Sequence, residues 1–130
     1  MNAASPLPAL IIEDDAMQAD IFQHAIENAG FKAEVIDNGP QALQRLENPP
    51  TPVLIVLDLH LPGVSGEEIL RHIRSTPHLK NAMVILATAN PRMATLLEGE
   101  SDLVLIKPVS FTQLRDLSTR LRQRYENKGA

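Results

Sequence analysis

At 130 residues the chain is long enough for one domain with its own core, and its 44% hydrophobic, 22% charged and 3% aromatic content describes a globular protein with an aliphatic interior. A formal net charge of −4 argues against a nucleic-acid surface, and the absence of cysteine excludes a disulfide framework, a Cys-based zinc site and thiol chemistry. The opening MNAASPLPALII lacks the basic and apolar regions of a signal peptide. No apolar run approaches the roughly 18 residues of a spanning helix, so no membrane segment and a cytoplasmic location are expected.

The first apolar run, ALII at 9–12, ends in Glu13, Asp14 and Asp15. Met17, Ile21, Phe22, Ala25, Ile26 and Ala29 then fall on one stripe, which predicts an amphipathic helix closed by Gly30. AEVI at 33–36 is a weaker strand, suited to an edge, and GPQALQRLE at 39–47 is a short helix with Pro40 near its start. Proline-rich NPPTP, 48–52, reads as a loop into the run VLIVL, 53–57, which stops at Asp58. Ser65 is placed to cap GEEILRHIR, with Glu67 and Glu68 near the positive end of the dipole. MVILA at 83–87 leads to Thr88, and PRMATLLE at 91–98 makes about two helical turns. LVLI at 103–106 leads to Lys107-Pro108, a candidate cis bond. The last helix starts near Ser110 and carries Phe111, Leu114, Leu117 and Leu121 on one face. Its other face holds Arg115, Arg120, Arg122 and Arg124, either solvated or available to a partner.

The four apolar runs do not alternate with polar residues, which suits strands buried on both faces of a parallel sheet. Strands alternating with helices build right-handed βαβ units, and the carboxyl ends of such strands form the ligand crevice. If the first and third strands are neighbours, Glu13, Asp14 and Asp15 converge with Asp58 there. Crowded carboxylates repel one another, and a hard cation such as Mg²⁺ relieves that repulsion. Asp14 or Asp15 alone could simply cap the first helix. Thr88 and Lys107 end the fourth and fifth strands at the same crevice, where they could bond an anion.

The pieces IIEDD (11–15), LIVLDLHLPGVSGEEIL (54–70), VILATA (84–89) and LIKPV (105–109), in that order, resemble the receiver domain of two-component response regulators. The resemblance covers nearly the whole chain. It implies an α/β, flavodoxin-like (βα)5 three-layer sandwich whose central five-stranded parallel sheet runs in the order 2-1-3-4-5. It implies one receiver domain over 1–130, with a core at about 8–125 and no effector domain. By the same resemblance Asp58 is the phosphoacceptor. Glu13, Asp14, Asp58 and the carbonyl of His60 hold Mg²⁺, and Thr88 and Lys107 contact the phosphoryl oxygens. The expected donor is a phosphohistidine on a histidine kinase or phosphotransfer protein. The output is a phosphorylation-dependent protein–protein interaction, so the chain is a phosphoacceptor rather than an enzyme.

Two features depart from the family. Val104 stands where an aromatic usually follows the movement of the threonine, so a muted or rerouted change is expected on the neighbouring face. Only 18 residues separate Thr88 from Lys107, which shortens the fourth helix. His60 and Asn90 occupy the positions that flank the attacking water in the family, where they would tune the phosphoryl lifetime. His24, His72 and His78 have no ligand spacing and are expected at the surface. The competing reading is a degenerate receiver that binds partners without phosphate. A phosphatase of the haloacid dehalogenase type is disfavoured because His60 stands where its second Asp belongs. A dinucleotide-binding protein is disfavoured because acids, not a G-x-G-x-x-G loop, follow the first strand.

Overall fold

The unbroken apolar runs become the inner strands of a sheet covered by helices on both faces. The structure, a computed structural model, describes residues 5–129. Its strands are β1 (Leu7–Ile12), β2 (Phe31–Ile36), β3 (Leu54–Asp58), β4 (Met83–Thr88) and β5 (Leu103–Ile106). The helices are α1 (Ala16–Asn28), α2 (Gly39–Leu46), α3 (Gly66–Ser75), α4 (Pro91–Leu97) and α5 (Phe111–Gly129), with a 3₁₀ turn at Glu98–Glu100. All strand pairs are parallel, and the order is β2-β1-β3-β4-β5. This is the flavodoxin-like arrangement that the motifs imply.

Alternate residues of each strand feed two cores. Ala9, Ile11, Leu54, Val56 and Ile85 pack with Phe22 and Ile26 of α1 and Leu114 and Leu121 of α5. Leu10, Ile12, Ile55, Leu57, Val84 and Leu86 pack with Leu46 of α2, Ile69 and Ile73 of α3 and Leu97 of α4. Every residue of β3 and β4 is buried, as strands apolar on both faces require. All five α-helices start on side-chain caps that accept backbone amides: Asp15, Asn38, Ser65, Asn90 and Ser110.

Two expectations need correction. Met17 and Ile21 are exposed, at 80% and 42%, and are not core residues. The rest of the expected stripe, Phe22, Ala25, Ile26 and Ala29, is buried, and Ala19 joins it. The run LVLI is not buried on both faces. β5 is the second edge strand, and Ile106 at its end is exposed. The arginines of α5 are largely engaged within the molecule. Arg124 pairs with Asp102, Arg122 with Glu126 and Arg115 with Asp116, so the basic face is much neutralised.

Asp102 also receives Arg74 and the Val84 amide on its second oxygen. Arg74 in turn donates to the carbonyls of Lys80, Ala82 and Glu100. This network ties α3, β4, β5 and α5 together at the amino-terminal end of the sheet. Among the described residues, no helix is long and apolar enough to cross a membrane.

Candidate functional site

Strand register brings the acids together. Ile12 of β1 pairs with Leu57 of β3, so Glu13 and Asp58 stand level one residue further on. The chain leaves β1 towards β2 on one side and is flanked by β3 on the other, which makes this end the switch point of the sheet. Glu13, Asp14 and Asp58 each present a carboxylate oxygen within 4.8 Å of the others. Glu13 and Asp58 are almost fully buried, whereas Asp14 is exposed. Asp15 is not part of the cluster: its side chain accepts the Gln18 amide at 2.9 Å and caps α1. The two adjacent aspartates thus have different tasks.

Lys107 reaches the cluster from the end of β5. Its ammonium lies 3.1 Å from Asp58 Oδ1 and 3.3 Å from Glu13 Oε1. The following Lys107–Pro108 bond is cis, as proline after lysine allows. Thr88 ends β4 fully buried, and its hydroxyl oxygen accepts the Asn90 amide at 3.0 Å. That leaves the hydroxyl proton for another acceptor. The His60 amide donates to Asp58 Oδ1 at 3.0 Å, while the His60 side chain is exposed at the rim. Asn90 is also exposed, and its side-chain oxygen caps α4 through the Arg92 amide. Val104 lies away from the acids, half-buried against the second core, where Met93 also packs. His24 is exposed beside Asp20, His72 is half-buried against Glu47, and exposed His78 bonds the Leu46 carbonyl. None of these three histidines belongs to the acidic cluster.

The Lys107 ammonium meets two of the three clustered carboxylates, and the charges do not balance. Burial pushes the Glu13 carboxyl up to about 7; the Asp15 amide offsets part of this, while Asp58 adds to it. Burial acts on Lys107 in the opposite direction, yet its bond to Asp58 and the two nearby carboxylates hold its pKa above the ordinary lysine value. The two partners therefore respond differently: Lys107 gains from the acids, whereas Glu13 is the acid left short of positive charge. An all-oxygen donor set with this deficit fits a hard divalent cation.

Gly66 is a site residue that motif spacing did not single out for a role. A Cβ there would lie 2.5 Å from the Asp58 carbonyl oxygen and 2.6 Å from Leu59 Cα. The missing side chain lets α3 start directly against the end of β3. Its only sequence signal is the glycine next to the Ser65 cap.

A doubly wound sheet whose switch point holds a buried aspartate, an acidic cluster and a lysine is the arrangement of a two-component receiver domain. Residues 9–119 match the family model described as the response regulator receiver domain, and the chain belongs to that family. The phosphate regulon transcriptional regulatory protein PhoB of Rhizobium meliloti (strain 1021) is 33% identical over 108 residues, which are 80% of this chain and 47% of PhoB. The chain thus spans about half the length of that relative. Among solved structures, the signal receiver domain of a signal transduction histidine kinase from Syntrophus aciditrophicus is 31% identical, with a TM-score of 0.79 and 90% of each chain covered. The Mn²⁺-bound form of response regulator Rcp1 shares the fold at 24% identity and a TM-score of 0.75, covering 92% of this chain and 94% of Rcp1. Receiver domains are phosphoacceptors rather than conventional enzymes, bind Mg²⁺ at an acidic pocket, and work with histidine kinases or phosphotransfer proteins.

Proposed function

We propose that this chain is an active receiver domain in which Asp58 takes a phosphoryl group from a phosphohistidine on a histidine kinase or phosphotransfer protein. The observation that carries this reading is the Asp58 carboxylate, buried yet 3.1 Å from the Lys107 ammonium and within 4.8 Å of the oxygens of Glu13 and Asp14. Glu13, Asp14, Asp58 and the His60 carbonyl would hold Mg²⁺, which supplies positive charge to the transferring phosphoryl oxygens.

The chain's own groups do the rest. An Asp58 carboxylate oxygen attacks phosphorus as the P–N bond to the donor imidazole breaks, and the bonding pair leaves on that nitrogen. Lys107 and the Thr88 hydroxyl meet the phosphoryl oxygens, where charge spreads during transfer. Hydrolysis of the aspartyl-phosphate resets the domain, and the exposed side chains of His60 and Asn90 flank the path of the water. Asn90 offers its NH₂ there, because its oxygen caps α4. The output is a cytoplasmic protein–protein interaction gated by the phosphoryl group, with no direct contact to nucleic acid. Since Val104 lacks an aromatic ring, the change at α4, β5 and α5 is muted or rerouted.

Incubation with acetyl phosphate and Mg²⁺, followed by intact mass, tests the reading with Asp58→Asn as control. A single phosphoryl adduct on the wild type and none on the variant is expected. An adduct of equal yield on both would sink the assignment. One observation favours a second reading, an interaction module that needs no phosphate: Val104 in place of the switch aromatic. A wild type that stays unmodified by acetyl phosphate and by a phosphorylated donor protein, yet binds its partner, would support that alternative.

A further inference from the structure

The loop from Leu59 to Ser65 follows the nucleophile and carries His60, and much of its support comes from α2. The Gly39 amide donates to the Pro62 carbonyl at 3.4 Å. A Cβ at Gly39 would lie 2.5 Å from the Val64 carbonyl oxygen and 2.6 Å from Val64 Cβ. Gly63 adopts φ +85°, and a Cβ there would meet Pro40 Cδ at 3.0 Å. Two bonds tie the other side of the loop to the strand end. The His60 amide donates to Asp58 Oδ1 at 3.0 Å, and the Gly66 amide donates to the Leu59 carbonyl at 3.3 Å. The loop is therefore held between the nucleophile and the first turn of α2.

We infer that the first turn of α2 is the seat that positions this loop at the cation and phosphoryl pocket, and that Gly39 is a positioning residue for that chemistry. Helix propensity alone would prefer alanine at position 39. The contact reverses that preference, because the atoms in the way include the backbone of Val64, which cannot swing aside as a side-chain tip could. A methyl group at 39 displaces Val64, and the displacement passes along the loop to the amide and carbonyl of His60. Cation binding and phosphoryl transfer both depend on sub-ångström placement of such groups. The part of this inference that concerns chemistry rests on the receiver reading above.

Amide hydrogen exchange on the metal-free protein and a Mg²⁺ titration read from amide shifts test it on Gly39→Ala, Pro40→Ala and Gly99→Ala. Gly99 has nothing within 4 Å of its would-be Cβ, so that variant should match wild type in both measurements. In Gly39→Ala the His60 and Gly66 amides should exchange about tenfold faster relative to Ile55 and Val56 of β3, and Mg²⁺ should bind about tenfold more weakly. Pro40→Ala, which removes the exposed ring beside Gly63 and restores a backbone N–H in the first turn of α2, should move both in the same direction by about twofold, and it decides the matter if Gly39→Ala does not fold. A uniform acceleration of all amides with wild-type Mg²⁺ affinity would reduce Gly39 to a stability residue and overturn the inference. If the wild type itself shows no Mg²⁺-dependent shifts, the receiver reading fails, while the exchange data still decide whether α2 seats the loop.

Discussion

At the amino-terminal end of the sheet, Asp102 is met on one oxygen by Arg124 and on the other by Arg74 and the Val84 amide. At the carboxyl end, Glu13, Asp14 and Asp58 cluster, and the Lys107 ammonium meets Glu13 and Asp58. The first cluster is closed, because its one carboxylate has two cations and a backbone donor. The second is open, with negative charge in excess and one acid, Glu13, pushed up to about 7 by its burial. Both are assembled from residues far apart in the chain, so the difference lies in charge balance rather than in construction. A closed cluster contributes to stability. An open one holds stability back until a cation or a transferred group completes it.

The largest expected contrast comes from removing the central acid of each cluster. Asp58→Asn should abolish phosphoryl uptake by intact mass. It should leave the metal-free protein as stable as wild type or about 1 kcal/mol more stable at pH 8, because Lys107 keeps Glu13 as a partner. Asp102→Ala should do the reverse. It leaves the Val84 amide and two guanidinium groups without their acceptor, at a cost of about 3 kcal/mol in urea unfolding. Its rate of phosphorylation per folded molecule should stay at the wild-type value. A slowed rate in Asp102→Ala would break the comparison.

The next effect is on pH. The Glu13 carboxyl titrates near 4.5 when unfolded and at about 7 when folded, so between these values the folded protein binds more protons. Stability of the metal-free protein should therefore fall as pH rises through this window. The expected loss is about 2 kcal/mol between about pH 5 and about pH 8, measured by urea melts. Glu13→Gln should flatten that slope. The smallest effect is expected at Ser118, which is fully buried on α5 with no partner for its hydroxyl. Ser118→Ala should be neutral or about 1 kcal/mol stabilising, with phosphorylation unchanged.

Much of the fold was legible because four apolar runs, each ending in a residue that carries chemistry, admit few arrangements other than a parallel sheet with one reactive end. The motifs placed Glu13, Asp14, Asp58, Thr88 and Lys107 at that end, and the register brings the acids and the lysine into contact. What stayed hidden depends on neighbours remote in sequence. Met17 and Ile21 share an apolar stripe with Phe22, Ala25, Ile26 and Ala29, yet only the latter four reach the core. LVLI has the composition of a covered strand, yet β5 lies at the edge of the sheet and its last residue, Ile106, is exposed. The Asp102 hub joins residues 18, 22 and 28 positions apart, a spacing with no local period to reveal it. The packing of Gly39 on Val64 is likewise invisible until α2 and the loop after β3 are brought together.

A Mg²⁺ titration of the wild-type protein at about pH 8, followed together by urea stability and amide shifts, tests the open cluster most directly. The expected result is a saturable gain in stability, with shifts centred on Glu13, Asp14, Asp58, His60 and Lys107, and none at Asp102 or Arg124. No gain in stability at millimolar Mg²⁺, or shifts spread equally over both ends of the sheet, would contradict it.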